Sequence, residues 1–223
     1  YPGSTPRATS RWWLPPGRRV IVPYGIQDLF RQAEPATEPP PPRAIFTSNP
    51  LRGLDWLLGV WRRSIHPAVP NAELHLFSGP ETYGDWGAKV SPRMREVLEQ
   101  AQASSDVGVV VRRPVSKREL VGELRSARVM PYRGDLAETF CLAVAEAQAV
   151  GVPAVVQPLG SMAERVNHEK TGFVDSSEER FAEHVVALLT DDDLWRRMQA
   201  NSLLQQKARG WLDAAAEFEA LSK

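Results

Sequence analysis

Apolar residues along this chain follow two rhythms. From residue 43 onward, short apolar runs of strand length alternate with longer stretches whose apolar positions recur at helical spacing. The short runs predict strands over 44–47, 73–77, 107–111, 127–131, 153–157 and 172–174. The longer stretches predict helices over 51–64, 91–103, 116–126 and 140–150, with two or three more from Ser177 to the end. Local signals agree. Ser116 stands where an N-cap is needed, with Glu119 three residues on. Gly151 follows Val150, where a glycine closes a helix. Strands separated by helices of this length form βαβ units, so the fold class is α/β: a Rossmann-like parallel sheet flanked by helices.

The first 42 residues differ. Ten of the 19 prolines fall there, including Pro15-Pro16 and the run from Pro39 to Pro42. Proline fixes φ and removes a donor, so this part cannot be a regular packed layer. Residues 1–42 therefore read as an arm or inter-domain connection with one short strand, Arg19-Val20-Ile21-Val22, and residues 43–223 as the Rossmann-like domain. Trp12 and Trp13 need cover, from this domain or from a neighbouring one.

Composition narrows the field of functions. Lys plus Arg and Asp plus Glu number 27 each, so the net charge is zero. A generic nucleic-acid binder carries a basic excess, and no nucleic-acid partner is expected. Cys141 is the single cysteine, which excludes an intrachain disulfide and points to a reducing, cytoplasmic setting. No apolar run approaches the ~20 residues of a membrane span, and the first residues lack the layout of a secretion signal.

In an open parallel sheet, ligands bind beyond the carboxyl ends of the strands, where strand order reverses. The residues of interest thus lie in 48–53, 112–116, 132–140 and 158–161. The densest signal runs from Ala137 to Pro153 and holds Glu138 and Glu146. On one helix these would stand two turns plus about 80° apart, on different faces. Glu138 therefore belongs to the loop before the helix and Glu146 to its first turns. Between them the free N–H groups of Phe140, Cys141 and Leu142 suit an anion. Carboxylates accept hydrogen bonds from paired hydroxyls. Two of them flanking an anion site suit a ligand with hydroxyls at both ends and phosphate between, such as a nucleoside diphosphate sugar. Two glutamates at this spacing are common by themselves. Their place after a strand and before Gly151-Val152-Pro153 gives them meaning.

This segment resembles the Glu-x7-Glu motif of retaining glycosyltransferases of the GT-B fold, specifically glycosyltransferase family 4. Other blocks resemble the family in the same order: Val20 to Ile26, Thr47 to Asp55, Pro114 to Leu120, Gly160 to Val166, and Thr171 to Val174. The likeness spans roughly residues 19 to 221 and covers only the C-terminal, donor-binding half of such enzymes. It implies that Glu138 binds hydroxyls of the donor sugar, that Glu146 binds the ribose, and that Arg52 pairs with the diphosphate. It places the base against Arg113, Pro114 and Val115, with Ser48, Thr139, Phe140, Cys141 and Leu142 completing the donor site. Glu138 and Arg52 would carry the catalytic roles. No metal and no cofactor is implied, the nucleoside diphosphate sugar being a substrate. An acceptor glycan or lipid-linked glycan would be bound by an N-terminal domain absent here, so a fragment or one half of a split enzyme is expected. Membrane association would be at most peripheral, at the inner face of the cell membrane.

Three features depart from the family pattern. Thr47 replaces a frequent arginine, Cys141 replaces a usual glycine and could narrow the phosphate pocket, and the acceptor half is missing. The alternative reading is a non-catalytic module that binds a nucleotide sugar or a protein partner. An NAD-type epimerase needs a Gly-x-Gly-x-x-Gly turn, which the sequence lacks. Asp191-Asp192-Asp193 reads as the cap of the helix beginning near Leu194 rather than a metal site. The four histidines have no triad-like neighbourhood and read as surface or structural residues. The last helix, from Trp211 to Leu221, is expected to cover the core.

Overall fold

A computed structural model describes residues 1–8, 18–79, 90–206 and 208–221; of Arg7 only the backbone is described. Trp12 and Trp13 lie outside these residues. Among the described residues six strands form: β1 (Arg43–Phe46), β2 (Glu73–Leu76), β3 (Val109–Val111), β4 (Met130–Tyr132), β5 (Ala154–Val156) and β6 (Gly172–Val174). β1, β2 and β3 pair in parallel in that order, as do β4, β5 and β6. The two triplets meet at a parallel bridge between Ala44 and Val129. Ile45 N–H donates to Val129 O and Arg128 N–H to Arg43 O. The strand order is therefore 3-2-1-4-5-6, and its direction reverses between β1 and β4. Ala44, Ile45, Phe46 and the whole of β4 and β5 are buried, as expected of strands covered on both faces.

The helices are α1 (Ser4–Ala8), α2 (Asp28–Arg31), α3 (Leu54–Val60), α4 (His66–Ala68), α5 (Pro92–Gln102), α6 (Lys117–Arg125), α7 (Leu142–Ala149), α8 (Met162–Arg165), α9 (Glu178–Thr190), α10 (Asp192–Gln206) and α11 (Trp211–Ala220). A π-type turn, Trp61–Ile65, joins α3 to α4. Helix α3 packs against α5, and α9 against the π-type turn, with the Trp56 and Phe181 rings edge to face at 4.9 Å. Helix α7 packs against α2 and α10. Ser116 and Glu119 form the expected capping box of α6.

Several expectations are corrected. Residues 19–22 form no strand. The Tyr1 amino group donates to Val20 O at 2.9 Å and Val22 N–H to Tyr1 O at 2.8 Å, so the segment finds the chain's first residue instead of a sheet edge. Beyond it, Val22, Ile26 and Phe30 are buried, and Ile26 and Phe30 join the main core. Helix α3 starts at Leu54 rather than at residue 51, because Gly53 takes φ 83°, a left-handed conformation no helix continues through. Helix α11 covers little core: Ala214 is buried, whereas Leu212 is 83% and Phe218 52% exposed. The aspartate run caps as expected, Asp191 Oδ1 accepting Leu194 N–H at 2.9 Å. Among the described residues no helix is long and apolar enough to cross a membrane.

Candidate functional site

The strand order reverses between β1 and β4, which run parallel, and the residues following these two strands meet there. Arg52 arrives on the loop after β1. Its approach is set by Asn49, whose side chain accepts Leu51 N–H and whose carbonyl accepts Arg52 N–H, both at 2.9 Å. Tyr132 ends β4, and Glu138 sits six residues on. The Arg52 guanidinium forms an ion pair with the Glu138 carboxylate. The buried Tyr132 hydroxyl donates to the same Glu138 oxygen at 2.8 Å and lies 3.3 Å from the Ser48 hydroxyl. Ser78 at the end of β2 donates to Ser48 O at 2.6 Å. The ends of β1 and β4 thus fix one carboxylate, with Glu138 8% exposed and the Arg52 side chain 39% exposed. The Glu138 partner raises the Arg52 pKa, and burial raises that of the Tyr132 hydroxyl, so the tyrosine remains a donor.

The loop carrying Glu138 is braced by its backbone. Asp135 accepts the N–H groups of Ala137 and Glu138, and Glu138 O accepts Ser161 N–H at 3.0 Å. Gly160 takes φ 55°, and a Cβ there would meet Asp135 O and Glu138 O at 2.5 and 2.6 Å. Only glycine lets the two loops approach this closely.

Helix α7 begins at Leu142, two residues later than the sequence predicts. The reason is Cys141, which takes φ 59° and ψ 78° at the N-cap position. A left-handed residue with a side chain costs about 1–2 kcal/mol, which a glycine would avoid. Phe140 and Cys141 therefore belong to the loop, and the first turn consists of Leu142, Ala143 and Val144. The Cys141 side chain at the N-cap position makes no capping hydrogen bond to them. The Cys141 thiol is buried, and burial with the nearby Glu138 charge pushes its pKa up to about 12.

Glu146 stands on α7 and is 7% exposed. No hydrogen bond or ion pair joins it to Arg52 or Glu138. Its carboxylate is held by Lys117 at the start of α6, with Nζ at 2.9 and 2.7 Å from its two oxygens. Burial raises the Glu146 pKa while Lys117 pulls it back. The expected base-contacting residues follow β3: Arg113 and Val115 are exposed and Pro114 is half-buried. Arg113 lines a cavity of about 490 Å³ with Ser78, Arg95, Val111 and Arg112. Thr139 is exposed beside Glu138. The sequence reading missed Lys117 and the role of Tyr132. Tyr132 opened the segment 132–140 singled out after a strand, and Lys117 lay in the block from Pro114 to Leu120, but neither side chain was given a role.

Comparison with known proteins follows this geometry. Residues 42–191 match the family model of glycosyl transferases group 1. Over 110 residues the chain is 34% identical to the D-inositol 3-phosphate glycosyltransferase of Xylanimonas cellulosilytica, covering 48% of this chain and 26% of that protein. The solved sucrose-phosphate synthase of Thermosynechococcus elongatus superposes with a TM-score of 0.76 at 21% identity, over 98% of this chain and 56% of that one. HepE of Anabaena, solved in complex with UDP and glucose, superposes at 0.63 with 16% identity, over 82% of this chain and 48% of its own. The chain thus spans about a quarter of the curated relative and about half of these solved neighbours, which share its fold.

Proposed function

The chain belongs to the glycosyl transferases group 1, and from that premise we propose that it is the donor-binding domain of a retaining family 4 enzyme using a nucleoside diphosphate sugar. The observation that carries this reading is the convergence of Arg52, Tyr132 and Glu138 at the reversal point of the sheet, just before the start of α7. In the proposed complex the diphosphate takes Arg52 away from Glu138, and the freed carboxylate accepts sugar hydroxyls. The ion pair keeps both charges compensated until the ligand replaces it. Glu146 binds the ribose, and the base lies against Arg113, Pro114 and Val115.

Catalysis follows from where charge develops. The acceptor hydroxyl attacks the anomeric carbon on the face the diphosphate leaves, and negative charge grows on the departing phosphate. Arg52 and the N–H groups of α7 lie ready for that charge, and preorganised donors of this kind are often the largest catalytic term. Glu138 orients the sugar and forms no covalent bond to it. The acceptor, a glycan or lipid-linked glycan, would be bound by an N-terminal domain outside this chain.

The test is calorimetric titration with UDP, GDP, ADP and dTDP, each beside its nucleoside. Saturable binding of one diphosphate, weakened in Arg52→Ala far more than binding of its nucleoside, is expected. Equal weakening of both would contradict the phosphate role. In the complete enzyme Glu138→Gln should keep its fold and lose transfer. Turnover near wild type would remove Glu138 from the site, and diphosphate binding without any transfer would favour a non-catalytic module.

A further inference from the structure

A second cavity, of about 220 Å³, shares Phe140 with the donor loop but contains neither Arg52 nor either motif glutamate. Its other walls include Tyr24 from the arm, Arg165 from α8, Gln206 from α10 and Arg209 from the turn before α11. The Arg165 guanidinium lies 4.2 Å from the centre of the Phe140 ring, which stands 5.2 Å from the Tyr24 ring. Stacking uses the flat face of a guanidinium and leaves its in-plane N–H groups to find acceptors.

Among the described residues one nitrogen of each arginine lacks such an acceptor. Arg165 Nε is buried without a partner, and so is Arg209 Nη2. The rest of Arg209 is engaged: Nε donates to Pro23 O at 3.0 Å and Nη1 to Glu217 at 2.6 Å. Glu164, the acid adjacent to Arg165, accepts the N–H groups of Ser4 and Thr5 at 2.9 and 2.6 Å. Burial depresses the Arg165 pKa, and the charge of Glu164 opposes this only in part. Buried polar groups in native proteins are almost always satisfied, and an exception points to a water or ion.

We propose that this cavity binds a small tetrahedral oxyanion, of the phosphate or sulfate class, between Arg165 and Arg209. Guanidinium groups pair with such oxygens through parallel N–H donors. A water's share of liquid volume is about 30 Å³, so the cavity holds a phosphate with several waters. It is below the roughly 300–1,000 Å³ of sites for drug-sized ligands, which leaves no room for a nucleoside diphosphate sugar. The site stands independently of the donor reading.

The test is thermal unfolding of this 223-residue chain in sodium phosphate and in sodium chloride of equal ionic strength. At ten times the dissociation constant, phosphate raises the apparent folding constant about 11-fold, a shift of roughly 3–6 °C for a domain of this size. The shift should vanish in Arg165→Met and Arg209→Met and persist in Arg52→Ala. No shift beyond that of chloride overturns the proposal. So does a shift that survives both methionine variants, or one that disappears in Arg52→Ala, which would put the anion in the donor site. Should the methionine variants not fold, selenate soaked into crystals of the unaltered protein decides. An anomalous peak within hydrogen-bond distance of both guanidinium groups supports the site, and its absence there rejects it.

Discussion

Replacing Lys117 by methionine removes a cation while keeping most of the side chain's bulk. In the folded protein the Lys117 ammonium group lies within 2.9 Å of both oxygens of Glu146. Breaking a fully buried pair costs about 3–5 kcal/mol, whereas an exposed pair is worth about 0–1. Here the Glu146 side chain is 9% and that of Lys117 52% exposed, so water reaches one partner and the cost falls between these limits, at about 1–2 kcal/mol. With a urea m-value of roughly 2–3 kcal/mol/M, the unfolding midpoint at pH 8 should drop by roughly 0.3–1 M. The pH dependence gives a sharper test. Burial already lifts the Glu146 pKa above 4.5, and Lys117 opposes that rise, so its loss lifts the pKa further. The folded state then holds the proton more tightly than the unfolded chain. Stability falls as pH rises through the folded pKa and is regained below the unfolded value. The deficit of Lys117→Met should therefore be largest at pH 8, shrink toward pH 5, and mostly vanish when Glu146→Gln is added. An unchanged midpoint at pH 8, or a deficit constant from pH 5 to 8, would refute the reasoning.

Two further outcomes are expected. Gly160→Ala should lose about 2–3 kcal/mol, because its Cβ would press on two backbone carbonyls from a left-handed residue; the melting temperature should fall by roughly 5–10 °C, and a fall under 2 °C would contradict the close approach. Cys141, with its thiol pushed up to about 12 and buried, should react with thiol reagents at pH 8 only as fast as the chain opens, so immediate stoichiometric labelling of the folded protein would show the side chain to be accessible.

The loop after β4 and helix α7 hold two carboxylates by separate devices. Glu138 is fixed from the strand side by Tyr132 and Arg52, and Glu146 from the helix side by Lys117. Each carboxylate is held by a cation that lies partly in solvent. In the proposed complex a ligand entering from solvent would take over the charge balance without first exposing the core.

The sequence by itself determined what short-range chemistry can carry. Apolar runs of strand length alternating with helical stretches gave six parallel strands, because period and length are local properties. The Ser116 capping box was legible because its two partners are three residues apart. Glu138 in a loop and Glu146 on the helix followed from helical geometry applied to their spacing. The short strand at 19–22 failed because a strand needs an edge to pair with, and the sequence does not say which edge is free. Helix α11 failed for the same kind of reason: its apolar pattern says that a face is greasy, not that the core lies opposite it. Tertiary structure alone joined the two triplets of strands through Ala44 and Val129 and so placed Arg52 on Glu138, 86 residues away. It also gave Glu146 its lysine and left Arg165 and Arg209 with N–H groups facing no acceptor. Those contacts join residues far apart in the chain. Their energies depend on burial and distance in three dimensions, and neither is written in local order.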